Sequence, residues 1–362
     1  MIKLFSKSLA MKNINVMITS CGGTVMPGII QCLKIVKERK IKVIGVDMKK
    51  DAVGFYMCDK HYVVPPGNSP DYIDAVLNIS KKENVDVILP ISQQEFIPLS
   101  RHKQLFENIG TIIACSDYES MKTANDKGLF LEFLKQKNLP CADFYLPKTI
   151  DEFEEDVYKL GYPEKPVVMK PRISAGNKGF RILREDIDKK SLLLNKTDDA
   201  YANLSDITKI FKNGTFPDLV VMEYLPGEEY SVDLLVKNGE PLIIVPKVRV
   251  DPLPGLSRVG IVKKNPEIEK LVSDIVKAFD FNYNINIQLK YSENGVPLPY
   301  EVNPRIAATI ILCAAAGANL VYYGVKLALG EEIPKVDIKN GIKMVRYWKE
   351  LFIGEDGELF EI

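Results

Sequence analysis

Histidine is nearly absent: the 362 residues hold two, His61 and His102. Two cannot build a three-histidine zinc site, and no His-Glu-x-x-His occurs. Both read as ordinary, partly exposed side chains. Cysteine supplies no metal site either. Cys21, Cys32, Cys58, Cys115, Cys141 and Cys313 are scattered without a Cys-x-x-Cys pair, and read as small buried hydrophobes of a cytoplasmic protein. No apolar run approaches the roughly 20 residues that a membrane span needs. A charge excess is missing too: 48 Lys+Arg stand against 48 Asp+Glu, which gives no basic footprint for nucleic acid or a membrane surface. What remains for chemistry is carboxylates, amides, lysines, arginines and backbone.

What is present is an ordinary globular composition, 46% hydrophobic and 27% charged, long enough for two or three domains. The first 120 residues alternate short apolar runs (14–20, 42–47, 85–90 and 111–114) with helical patterns over 27–38 and 71–83. Such alternation predicts a parallel sheet covered on both faces. Ile18-Thr19-Ser20-Cys21 looks like a lipoprotein cleavage site, but the run before it is short and holds Asn13 and Asn15, so it reads as a first strand. Met11 is a second candidate start, which would leave 1–10 as a disordered extension. Gly22, Gly23 and Gly28 after the first strand do not give Gly-x-Gly-x-x-Gly, which argues against a dinucleotide site with Asp47 on ribose.

From about residue 119 the pattern changes. A helix is expected over 125–137, strands over 167–170, 179–183, 219–223, 231–236 and 242–250, and an amphipathic helix over 267–279. The Ala-rich stretch 307–330 suits one buried helix.

Three stretches carry candidate chemistry. In Asn286-Ile-Gln288…Glu301-Val-Asn303-Pro-Arg305, the Asn294-Gly295 pair signals a hairpin. A two-residue loop would pair positions summing to 589, so Gln288 faces Glu301 and Asn286 faces Asn303. Gln288, Glu301 and Asn303 then share one face, with Ile287, Leu289, Tyr300 and Val302 on the other. A carboxylate between two amide oxygens suits Mg²⁺, although a solvated hairpin face accounts for the pattern as well. In Val167-Val-Met-Lys170…Ser174-Ala-Gly176-Asn-Lys178-Gly179, a lysine closes an apolar strand before a loop that can fold over phosphates. It is not a Walker loop, and a plain turn is the alternative. In Glu223-Tyr224-Leu225-Pro-Gly227-Glu-Glu229, a strand runs into a Pro-Gly connector that could offer backbone groups to a purine edge, or be only a surface turn.

Together and in this order, these blocks resemble the ATP-grasp superfamily, in particular its carbamoyl-phosphate-synthase-like, carboxylate–amine ligase branch. Lys127 after Asn125-Asp126, Lys170, Glu223…Glu229 and Gln288…Glu301-Val-Asn303-Pro-Arg305 match its motifs, and the likeness spans nearly the whole chain. It implies an α/β N-terminal open parallel-sheet domain (11–120), preceding an α+β ATP-grasp module (121–362) with a lid near 150–225. It also implies ATP as cofactor with Mg²⁺, or Mn²⁺ in its place. Lys127 and Lys170 would contact phosphates, with Ser174, Gly176 and Gly179 closing over them. Glu223, Tyr224 and Leu225 would take adenine and Glu229 ribose. Gln288, Glu301 and Asn303 would face the metal, and Arg305 with Lys170 would act on the transferring phosphoryl group.

Lys247, Arg249 and Arg258 form a further basic set suited to a substrate carboxylate or phosphate, with solvated strand charges as the rival reading. Glu95, after the strand ending at 90, sits where α/β ligand sites gather. The expected activity is phosphorylation of a small carboxylate and attack by an amine, in a protein that commonly forms homodimers. The alternatives are half of a split carbamoyl-phosphate enzyme, and a catalytically silent ATP-binding protein.

Overall fold

The computed structural model describes residues 11–174, 178–188, 190, 194, 200–253, 256–355 and 359–360. The extension expected over 1–10, and Gly176, lie outside the described residues. Residues 11–114 build a parallel sheet from β1 (Ile14–Ile18), β2 (Ile41–Asp47), β3 (Lys60–Val63), β4 (Val87–Leu89) and β5 (Ile112–Ile113), in the order β3-β2-β1-β4-β5. Its helices are α1 (Met26–Lys34), α2 (Tyr72–Glu83), α3 (Gln93–Arg101) and α4 (Lys103–Glu107). The apolar runs follow from burial on both sides. Val16, Ile18 and Val43 enter one core with α1, while Met17, Ile44 and Val46 enter another with Tyr72 and Phe96. Strand β3 is the element that hydropathy does not announce, because Lys60-His61-Tyr62-Val63 is an edge strand with largely exposed side chains. His61 stacks on Phe55, ring centroids 4.5 Å apart.

Helix α5 (Tyr118–Asn125) leads into α6 (Lys127–Gln136). Between them Asp126 caps α6, accepting from the amides of Gly128 and Leu129 at 2.8 and 3.1 Å. A second sheet follows, of β6 (Phe144–Tyr145), β7 (Val167–Pro171), β8 (Arg181–Leu183), β9 (Tyr201–Ala202) and β10 (Leu219–Glu223), ordered β6-β10-β7-β8-β9. Val167, Met169, Leu183 and Val221 pack under α7 (Ile150–Lys159) and α8 (Leu204–Phe211). Val168, Ile182, Val220 and Met222 turn to the opposite core, shared with α6 and the third sheet.

That third sheet is antiparallel: β11 (Glu229–Lys237), β12 (Glu240–Leu253), β13 (Leu256–Val262), β14 (Tyr283–Tyr291), β15 (Pro297–Asn303) and β16 (Lys343–Val345), ordered β15-β14-β11-β12-β13-β16. Helix α9 (Pro266–Phe279) covers one face. It buries Ile268, Leu271, Val272, Ile275, Val276 and Phe279 at helical spacing. The Ala-rich stretch is two helices rather than one, α10 (Ile310–Ala315) and α11 (Leu320–Ala328). Gly317 at φ +103° ends the first, and Asn319 caps the second through the amide of Tyr322. Both pack with α1 in one core, joining the last module to the first sheet. A short hairpin, β17 (Phe352–Ile353) with β18 (Leu359–Phe360), follows. Among the described residues no helix is long and apolar enough to cross a membrane.

Candidate active site

One pocket opens between the second and third sheets, lined among others by Lys127, Lys170, Gln288, Glu301, Asn303 and Arg305. The hairpin supplies its floor. Gln288 pairs with Glu301 and Asn286 with Asn303, the register that a 589 sum requires. The route to it differs from a two-residue turn. Tyr291 pairs with Pro297, the loop spans 292–296, and a bulge after Gln288 restores the register. Tyr300 is the extra residue of that bulge. Its ring joins the core, but its hydroxyl lies 2.7 Å from Glu229 Oε1 and 3.1 Å from Gln288 Oε1. The prolines are tolerated because β15 is an edge strand.

Lys170 ends a buried stretch of β7. Its ammonium stands 3.8 Å from Glu301 Oε2 and over the Tyr300 ring at 4.3 Å. Burial pushes Lys170 down to about 8, against the pull of Glu301 and with a push from Lys127. Burial would raise the Glu301 carboxyl, but the charges of Lys127 and Lys170, the Asn303 amide and Arg305 hold it below the usual carboxylate range. Asn303 Nδ2 donates to Glu301 Oε1 at 3.3 Å, and Arg305 Nη2 to Asn303 Oδ1 at 3.2 Å. Burial also lowers the Arg305 guanidinium.

Lys127 reaches the pocket because Asp126 anchors the helix start twice. The carboxylate caps α6 and also takes a bidentate pair from Arg172, at 2.9 and 2.8 Å. A Cβ at Gly128 would stand 2.8 Å from Arg172 Nε, so a larger residue there would push on that pair. Lys127 Nζ then donates to the carbonyl of Ser174 at 3.0 Å. Beyond Ser174, Gly179 adopts φ +74°, and a Cβ there would meet Pro171 at 2.6 Å.

The hinge residues sit beside the pocket rather than on its wall. Glu223 closes β10, and its Oε1 accepts from the amide of Asp143 at 2.9 Å. Tyr224 lies under the ammonium of Lys290, 5.2 Å from its ring centroid, and Leu225 is buried in the core. Glu229 starts β11 and is ion-paired with Arg249. Of the basic set, Arg249 lines the pocket and donates to Ser257 Oγ at 2.8 Å. Lys247, expected beside it as a substrate clamp, is instead 1% exposed and engaged with Asp233, and with Thr309 Oγ1 at 2.7 Å. Arg258 is an exposed residue of β13 outside the lining. Glu95 belongs to the first sheet's carboxyl edge, where it is buried and accepts from Ser20 Oγ at 2.5 Å. Burial raises its carboxyl against that bond.

The structure adds Lys178, Phe180, Ser231, Asn286 and Thr309 to the lining. Asn286 was accessible from the strand alternation that selected Gln288. Thr309 comes from a connector without periodic signal. Arg346, after β16, donates from Nε to the carbonyl of Ser257 at 3.0 Å and also to that of Ala308, bracing two lining residues from behind.

Residues 215–350 match a family model described as ATP-grasp in the biosynthetic pathway with Ter operon, and residues 2–114 match the PylC-like N-terminal domain. The chain is 27% identical over 338 residues to the carbamoyl phosphate synthase large chain of Clostridium acetobutylicum, covering 88% of this chain and 29% of that protein. For the large chain of Thermoanaerobacter pseudethanolicus the identity is 25% over 337 residues, covering 86% and 28%. The chain therefore spans less than a third of the length of these relatives. Among solved structures, N5-carboxyaminoimidazole synthetase from Staphylococcus aureus complexed with ADP aligns with TM-score 0.70 at 16% identity, covering 96% of this chain and 84% of that one. The biotin carboxylase domain of Hydrogenobacter thermophilus 2-oxoglutarate carboxylase, a dimer with magnesium ADP and bicarbonate, aligns with TM-score 0.68 at 15% identity, covering 90% and 72%. At these identities the two structures speak for the fold. The motif order, the two family matches and the shared fold together make this an ATP-grasp protein, a PylC-like N-terminal domain leading into an ATP-grasp module distantly similar to the carbamoyl phosphate synthase large chain.

Proposed function

We propose that the protein is an ATP-dependent ligase that phosphorylates a small carboxylate and joins the product to an amine. The substrate carboxylate oxygen attacks the γ-phosphorus of ATP, the bond to the β-phosphate oxygen breaks, and ADP leaves. The amine nitrogen then attacks the acyl-phosphate carbon, phosphate leaves, and the nitrogen loses a proton to give an amide. The observation that carries this reading is the convergence of Lys127, Lys170, Glu301, Asn303 and Arg305 on one pocket. Phosphoryl transfer asks for positioning and charge neutralisation rather than a histidine base.

In this reading Lys127 and Lys170 hold the phosphates, with Ser174, Gly176 and Gly179 closing over them. Glu223, Tyr224 and Leu225 border adenine. Glu229, steadied by Arg249 and Tyr300, takes the ribose hydroxyls. Gln288, Glu301 and Asn303 offer hard oxygens suited to Mg²⁺ or Mn²⁺. Among the described residues no group of three His, Cys, Asp or Glu side chains could hold a metal, so one carboxylate with two amides fits an ion that arrives on the nucleotide. Such an ion, when bound, neutralises phosphate charge. Arg305 stabilises charge on the transferring group, and Arg249 and Glu95 contact the acceptor substrates. The second sheet serves as the lid, the enzyme works in the cytoplasm, and it pairs as a homodimer.

A second reading is supported by the carbamoyl phosphate synthase relatives and by the bicarbonate of the Hydrogenobacter structure. In it, bicarbonate is the acid that is phosphorylated. Purified protein with Mg-ATP, a panel of carboxylates and hydroxylamine distinguishes the two. The ligase reading expects ADP release and a hydroxamate with one acid of the panel, whereas turnover with bicarbonate alone favours the second. Tight ATP binding without turnover on any acid would leave a silent binding protein. Glu301→Gln should lower turnover by about 10²-fold or more, the scale of one misplaced charge contact. An unchanged rate would remove Glu301 from the metal set.

A further inference from the structure

Asn286 is 1% exposed and lies on β14 between Asp233 of β11 and Asn303 of β15. Its Nδ2 donates to Asp233 Oδ1 at 2.7 Å and Ser231 Oγ at 2.9 Å, with the carbonyl of Val232 at 3.3 Å. The carboxylate and the carbonyl only accept. Turning the amide around would set oxygen against oxygen, so its orientation is fixed by chemistry. Asp233 is fixed in turn by Lys247 and by the Cys313 thiol, which donates to Oδ2 at 3.2 Å.

The arrangement leaves Asn286 Oδ1 buried and without a partner in the protein. Such an oxygen is costly unless something supplies a donor. The nearby cations are committed elsewhere: Lys247 to Asp233 and Thr309, Arg305 to the carbonyl of Ile306 and to Asn303. Asn286 lines the same pocket as Gln288, Glu301 and Asn303, two positions along β14 from Gln288 and so on the same face. Its other neighbours there, Ser231 and Thr309, are small.

Resting on the ligase reading above, we infer that the Asn286 amide oxygen accepts a hydrogen bond from an N–H of the attacking primary amine. The residue type matches the task. A carboxylate at this position would favour the ammonium form and tie up the nucleophilic lone pair. A neutral amide oxygen holds one N–H and leaves the lone pair free for the acyl carbon. The Lys247–Asp233 pair then acts through Asn286, fixing which of its atoms faces the pocket.

The test is thermal unfolding of the full chain, with and without Mg-ADP, against primary amines and amino acids and their trimethylammonium counterparts, which carry no N–H. A ligand that binds the native state raises the midpoint. At least one primary amine should raise it, and its trimethylammonium counterpart should not. Asn286→Ala should weaken the amine response about tenfold, the factor that one net hydrogen bond carries, while the Mg-ADP response stays. The inference is overturned if no primary amine stabilises the wild type, if the trimethylammonium compound does so equally, or if Asn286→Ala responds as the wild type does. It is overturned too if that substitution raises the magnesium needed for the ADP response, which would place Asn286 among the metal ligands. Should Asn286→Ala fail to fold, the comparison of the two compound sets on the wild type still decides. The ligase reading fails separately, by the absence of hydroxamate with every acid.

Discussion

Lys247 and Lys170 are buried lysines that both face a carboxylate, and they are held in opposite ways. Lys247 on β12 meets Asp233 on β11 within one sheet, with Thr309 and Cys313 completing the contacts. Burial opposes its charge, but Asp233 and Cys313 outweigh burial and raise its pKa. Lys170 on β7 meets Glu301 on β15 across two sheets, at 3.8 Å and over the rings of Tyr300 and Phe180. Here burial wins and the pKa falls to about 8. The first is a closed ion pair that the fold completes by itself. The second is a cation whose opposing charge is incomplete, at the wall of the pocket. A basic residue on a strand is therefore not a site signal by itself; whether its partner set closes decides.

The strongest way to break this comparison is to remove the lysines one at a time. Lys247→Met leaves Asp233 buried without its counter-charge and should destabilise the protein by about 3–5 kcal/mol. Denaturant midpoints measure this, and the Lys247→Met/Asp233→Asn double variant should recover part of the loss. A Lys247→Met protein as stable as the wild type would show that the pair is not closed. Lys170→Met should do the reverse. Stability should hold or rise, because a desolvated cation is gone, while turnover falls by about 10²–10³-fold. If the Lys170 variant loses as much stability as the Lys247 variant, the two lysines are alike and the contrast is wrong.

The sequence carried much of this, unevenly. Strand alternation in β14 and β15 put Gln288, Glu301 and Asn303 on one face, and the structure shows the same face. The period of two survives even though the turn is longer, because a bulge restores the register. The same bulge was invisible beforehand, and with it the role of Tyr300, whose hydroxyl ends beside Glu229 and Gln288. Lys247 and Arg249 share a strand face, so periodicity treats them alike. Each meets a carboxylate of β11, Asp233 or Glu229, and what separates them is that Arg249 lines the pocket whereas Lys247 is 1% exposed and does not. Strand β3 escaped because an exposed edge strand has no apolar signature, and the break at Gly317 because an Ala-rich stretch reads as continuous helix until its φ is known. Local pattern gives faces; non-local pairing decides which charges are spent.

The finest test of the contrast is its pH dependence. In the free protein Lys170 loses its proton near pH 8. Phosphates placed against it favour the charged form, so its pKa must rise on nucleotide binding. Linkage then fixes the sign. Well below pH 8 Lys170 is charged in both states and affinity for Mg-ADP does not change with pH. Above about 8 the free protein must take up a proton in order to bind, and affinity should fall by at most about tenfold per pH unit until the bound-state pKa is passed. Calorimetry in two buffers of different ionisation heat should show uptake approaching one proton in that window. Lys170→Arg stays charged throughout and should bind with neither the uptake nor the decline. Lys247 is shifted the other way and cannot produce the effect. A wild-type affinity flat to well above pH 9 would mean that Lys170 keeps its proton in the free protein, and that its charge is as well paired as that of Lys247.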